Sequence, residues 1–182
     1  MNSYLFINDG SVTLCGVKFS IGQNVAVAPE AAVAAYANPA FYQDRAASGD
    51  ISLVEVVRHE DTGTQALIEV RSQFTGSVSS AVRAVIDPAK MSWVTRTDID
   101  KAQRRAAFTV LPDYYPDRLE CSGTFTFAEA VSGPSATVVT VAGDLRVHVF
   151  LVGRTVEQII VSGLREYLEA EISTLPGFTA PA

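Results

Sequence analysis

The feature that most constrains this chain is its last long segment, roughly Gly153 to Leu175. Val156, Ile159, Ile160, Gly163, Leu164, Tyr167, Leu168, Ile172 and Leu175 recur at the i, i+3, i+4 and i+7 spacing of one helix face. Glu157, Arg165, Glu166 and Glu169 fall off that stripe, and Leu175-Pro176-Gly177 ends it. A helix of about twenty residues is about 30 Å long. Burying such a face contributes about 1.5–3 kcal/mol per large side chain before entropy costs. The helix therefore needs a partner as wide as a sheet.

The chain ahead of it supplies one. Val17 to Val25 alternates Val17, Phe19 and Ile21 with Lys18 and Ser20, the period of a strand. Pro29-Glu30 opens a helix carrying Val33, Tyr36 and Ala37, and Asn38-Pro39 breaks it. A second short helix, Pro39 to Ala46, holds Phe41 and Tyr42. From Ile51 the period is two. Ile51 to His59 and Gln65 to Phe74 form a hairpin turned at Asp61-Thr62-Gly63. Ser77 to Ile86 interrupts as a loop or short helix, then Met91 to Ile99 and Arg104 to Leu111 resume as strands. Leu119 to Ala128 places Cys121, Gly123, Phe125 and Phe127 on one face, and Ser135 to Phe150 is the last and longest strand. The first sixteen residues, with a turn at Asn8-Asp9-Gly10, are an added strand or an arm. The expected divisions are 1–16 as this extension, 17–178 as the domain and 179–182 as a tail.

A chain of 182 residues suits one domain with a core of its own. With 48% hydrophobic and 19% charged residues, and no apolar run near the ~20 residues of a spanning helix, integral membrane association is not expected. The N-terminus lacks the basic region and long apolar stretch of a secretory signal, so a cytoplasmic location is expected. The net charge of -6 disfavours nucleic acid, which needs clustered cations. Arg96 to Arg105, diluted by Asp98 and Asp100, reads as a hairpin tip. Cys15, Cys121, His59 and His148 have no ligand spacing, so neither a metal nor another cofactor is expected.

The order is strand, broken helix pair, six strands in hairpins, long C-terminal helix. It is similar to the helix-grip fold of the START-like (SRPBCC) superfamily, which includes polyketide cyclases, lipid-transfer domains and pollen-allergen relatives. The stretch from Gly143 to Gly153 resembles the V-x-V-x-V-P-L-V-G-G pattern of a bacterial family of unknown function in that superfamily, number 2505. Val156-Glu157-Gln158-Ile159-Ile160 resembles its K-[IV]-E-x-[IL] helix start, and Pro29-Glu30 with Phe41-Tyr42 its early helices. Phe150 departs from the pattern, which has proline there. The likeness covers Val17 to Leu175 and implies an α+β helix-grip: a curved antiparallel sheet wrapped around the C-terminal helix, with a cavity between them that often holds an apolar ligand.

The residues carry no catalytic constellation. No G-x-S-x-G elbow, G-x-G-x-x-G loop or phosphate-binding lysine motif occurs. His59 beside Glu60 and Asp61 reads as a solvated hairpin residue, and His148 shares the outer face with Arg146. Trp93, Phe108, Phe125 and Phe127 on strands, with Tyr167 on the helix, are either packed core or the wall of a pocket. Gly123 and Gly163 read as positions that leave room, so the expected ligand-binding set is Trp93, Phe108, Phe125, Phe127, Gly163 and Tyr167. Tyr114 and Tyr115 stand at its mouth or in an exposed loop. Three functions follow: a non-catalytic carrier or sensor of an apolar small molecule (lipid, polyketide or isoprenoid), a cyclase or dehydratase-like enzyme, or a protein-interaction module. No residue pattern fixes an oligomeric state.

Overall fold

The structure is a computed structural model that describes residues 16–43, 50–77, 83, 87–148 and 153–178. The turn expected at residues 8–10, Cys15, most of the 77–86 interruption, the end of the second short helix and Phe150 lie outside the described residues.

Among the described residues seven strands form one antiparallel sheet in the order β1-β7-β6-β5-β4-β3-β2. They are β1 (Val17–Val25), β2 (Ile51–Asp61), β3 (Gln65–Phe74), β4 (Ser92–Asp100), β5 (Arg105–Pro112), β6 (Leu119–Ala130) and β7 (Gly133–Val147). Every link from β2 to β7 joins neighbours in the sheet, and β1 crosses back to pair with β7. Two short helices, α1 (Pro29–Tyr36) and α2 (Pro39–Gln43), follow β1, and the long helix α3 (Gly153–Ser173) follows β7. A curled sheet gripping a C-terminal helix is the α+β helix-grip architecture.

The alternation seen in the sequence becomes two faces. On the inner face one transverse row runs Phe19, Gly143, Gly123, Phe108, Thr97, Ile68, His59, each opposite the next. Directly opposed residues share a face. The outer face carries a charge ladder over three strands: Arg58 reaches Glu60 and Glu69, and Arg96 reaches Glu69 and Asp98. Glu69 is half-buried between the two arginines. The turn expected from the basic patch is Lys101 to Arg104, where Arg104 has φ 51°.

The α1–α2 corner fills one end of the inner face with aromatic rings. Tyr36 is fully buried against Phe41, Phe125 and Phe127, with ring centroids 5.2, 5.1 and 5.2 Å away. Phe178, just past α3, adds an edge contact to Phe41 at 5.3 Å. Tyr42 donates its hydroxyl to the Tyr36 carbonyl, and Thr137 on β7 donates to the Val27 carbonyl ahead of α1. These two bonds hold the corner against the sheet while the rings supply the apolar burial.

Candidate ligand-binding site

α3 rests mainly on β1 and β7. At about 100° per residue its covered arc runs through Val156, Glu157, Leu168, Glu171 and Ile172, all buried, with Ile160, Val161, Leu164 and Tyr167 half-buried. On one flank Arg165 reaches the Ser20 carbonyl, and Ser173 accepts from Gln23, both residues on β1. β1 is the sheet edge, so the opposite flank looks across the inner face toward β6 and beyond. That flank carries Ile159, Gly163 and Tyr167.

Two expectations about this helix are corrected. Gly163 and Ile159 do not meet the sheet: Gly163 is exposed and Ile159 is 57% exposed. The covered arc is rotated past them because the helix seats on the edge pair of strands. Glu157, expected off the stripe, is buried, and its Oε1 accepts the Val147 backbone N–H at 2.8 Å. The carboxylate satisfies a donor at the end of β7, just before the chain turns into α3.

Gly123 also differs from expectation. A methyl group there would lie 2.8 Å from Phe108 Cε1 and 2.8 Å from Gly143 Cα, and closer still to the Ala142 carbonyl. On the neighbouring strand, a methyl at Gly143 would lie 2.8 Å from Phe19 Cζ. Two aromatic rings thus lie over a pair of facing glycines, one from each side. The room at Gly123 is filled by Phe108 rather than left for a ligand.

The residues selected from the sequence therefore separate. Phe125 and Phe127 belong to the aromatic corner under Tyr36, and Phe108 packs its ring 5.4 Å from Phe125. Trp93 lies at the other end of the inner face, opposite Ser72 and Pro112, and is half-buried. One row nearer the centre, Thr95 and Val110 face each other and are also half-buried. Ser72 and Thr97 are buried on the same wall, where an aromatic pattern does not mark them. Their signal in the sequence is the inward parity of β3 and β4, the same parity that places Ile68 and Val70 inside.

The titratable groups have other engagements. His59 is not merely solvated: its Nε2–H donates to the Ala37 carbonyl at 3.0 Å, pinning β2 to the helix pair. His148 is exposed and meets Glu120 at 3.1 Å. Asp98 pairs with Arg96, and Asp100 accepts from the Gln103 amide within the turn. Cys121 is a free, buried thiol whose pKa is pushed up to about 12, first by burial and then by the Asp144 charge. Tyr114 is 49% exposed, and Tyr115 (φ 57°) lies under the Arg118 guanidinium at 5.4 Å. Among the described residues no group of His, Cys, Asp or Glu is placed to hold a metal ion, and no helix is long and apolar enough to cross a membrane.

Residues 21–175 match the family described as protein of unknown function, DUF2505. The chain belongs to this family. No curated protein sequence matches it. Among solved structures, this DUF2505 protein is similar to TTHA0849 from Thermus thermophilus, with TM-score 0.62, 12% identity, and 90% of this chain and 100% of that one covered. It is similar to the Zhui aromatase/cyclase from Streptomyces sp. R1128, with TM-score 0.58, 12% identity and coverage of 88% and 93%. A START superfamily protein from Mycobacterium smegmatis matches with TM-score 0.54, 16% identity and coverage of 89% and 99%. At such identities the shared property is the START-like fold.

Proposed function

We propose that this DUF2505 protein binds an uncharged, largely apolar small molecule, of lipid, polyketide or isoprenoid type, between α3 and the inner face of the sheet, without transforming it. One observation carries the reading. α3 seats on β1 and β7 and turns an apolar flank, Ile159, Gly163 and Tyr167, across an inner face on which Trp93, Thr95 and Val110 are half-buried. Aliphatic and aromatic walls with a few hydroxyls are the usual lining of a small-molecule site. Ser72, Thr95 and Thr97 supply those hydroxyls. Along β3, β4 and β5, and at Glu120 of β6, the charged groups alternate onto the outer face, which favours a neutral ligand over an anionic one.

Non-catalytic binding fits the state of the reactive groups. The Cys121 thiol stays protonated at neutral pH, His59 is committed to a backbone carbonyl, and His148 lies outside the sheet. A cyclase-like reading has one observation in its favour: Ser72, Thr95 and Thr97 are grouped on one wall, where hydroxyls orient a carbonyl-rich chain. Purification under native conditions followed by mass spectrometry tests the binding reading, with titration by the neutral fluorophore N-phenyl-1-naphthylamine. Gly163→Leu is expected to lower probe affinity roughly tenfold by projecting into the ligand space. Wild-type protein that carries no small molecule and binds no probe contradicts the reading. Turnover of a poly-ketone substrate would move it to the cyclase.

A further inference from the structure

β5 and β6 part company before either strand ends. Their ladder stops at the pair Val110 and Cys121. Beyond it β5 stays bonded to β4, Leu111 opposite Val94 and Pro112 opposite Trp93. β6 likewise stays bonded to β7, Glu120 opposite Arg146 and Leu119 opposite Val147. The sheet is therefore split along its plane, and a space of about 360 Å³ occupies the split. Consecutive residues line it, 109–112 from one side and 119–122 from the other, with Pro116 from the connecting loop. Leu111 and Pro112 on one side and Leu119 and Glu120 on the other flank the unpaired stretch, each pair presenting one residue to each face, while the last bonded pairs, Thr109 with Ser122 and Val110 with Cys121, close its end.

We propose that this split is the passage by which an uncharged apolar molecule crosses the sheet to reach the inner face, an inference that rests on the binding function proposed above. Its inner end abuts the core: Cys121 is buried, and Val110 and Leu119 are half-buried and packed against the core cluster. Its outer end is apolar and wet, with Leu111 45% exposed. Among the described residues the charged member of the lining is Glu120, held on the β7 side by His148 at 3.1 Å and Arg146 at 4.0 Å. The size suits a small hydrophobic molecule, since pockets for such ligands begin near about 300 Å³. Pro112 has no N–H, which removes one backbone donor that an unpaired strand end would otherwise leave to satisfy.

A passage and a binding seat differ kinetically. Narrowing a passage raises one barrier and slows entry and exit by the same factor, whereas altering a seat changes the equilibrium. Stopped-flow fluorescence with N-phenyl-1-naphthylamine on the full chain measures both rates. Leu111→Trp, at the exposed rim, is expected to slow association and dissociation together by roughly tenfold and to leave Kd within about twofold. Leu119→Ala, which widens the split, is expected to speed both, and thermal melts establish that each variant is folded. Should Leu111→Trp unfold, Leu119→Ala alone decides. Rates indifferent to the variants while the probe still binds would overturn the passage and leave the binding function standing. A change confined to dissociation would make the split the seat, which also overturns it. Wild-type protein that binds no probe removes both readings.

Discussion

Gly123 and Gly163 invite the same substitution and are expected to answer with opposite signs. At Gly123 an added methyl meets Gly143 Cα and Phe108 Cε1, each at 2.8 Å, and the Ala142 carbonyl more closely still. Two of those three obstacles are backbone of the adjoining strand, so rotation of the Phe108 ring relieves only one. Overpacking a core costs about 1–3 kcal/mol, and immovable neighbours place Gly123→Ala near about 3. For a chain of this size each kcal/mol shifts Tm by about 2–4 °C, so a fall of roughly 6–12 °C is expected. At Gly163 the same methyl meets nothing within 4 Å, and the residue is exposed in mid-helix. Removing glycine's backbone entropy there stabilises by about 0.5–1 kcal/mol, raising Tm by roughly 1–4 °C. Differential scanning calorimetry of the two variants beside the wild type reads both signs in one experiment. A Gly123→Ala protein melting within about 1 °C of wild type would refute the close packing of β6 on β7 and Phe108. A destabilised Gly163→Ala would refute the open flank of α3.

Glu157→Ala leaves the buried Val147 N–H without its acceptor and is expected to cost about 1.5–3 kcal/mol by urea denaturation. Glu157→Gln keeps an acceptor oxygen and should lose less; equal losses would show that the bond does not matter. Cys121 makes stability depend on alkaline pH. Its folded pKa, about 12, lies above the ordinary value of 9.0, so its contribution is complete below pH 9 and lost as pH rises through the folded pKa. Wild-type stability should fall relative to Cys121→Ala by up to about 1.4 kcal/mol per pH unit in that window, and parallel pH profiles would contradict the buried thiol.

Much of this architecture is legible in the residues because alternation and helical spacing are local properties. Val17 to Val25 and Leu119 to Ala128 announce strands by period, Pro29 and Pro39 mark the helix pair, and α3 declares itself over five turns. The site is less legible because it depends on pairs that local patterns do not contain. That Phe108 lies over Gly123 follows from the β5–β6 register. That Glu157 turns inward follows from an unsatisfied amide ten residues earlier. Gly163 sits at the margin of the apolar arc, where a small rotation of the helix decides between sheet and open space. The split between β5 and β6 has no sequence pattern of its own beyond Pro112 and Pro116, since it is set by where two strands stop pairing.

Intermolecular nuclear Overhauser effects from bound N-phenyl-1-naphthylamine to assigned methyl groups test most directly whether an apolar molecule sits between α3 and the inner face. The expected contacts are to Val110 on the sheet and to Ile159 on the helix. Contacts confined to Val57 and Val131, which are exposed away from that space, would contradict it.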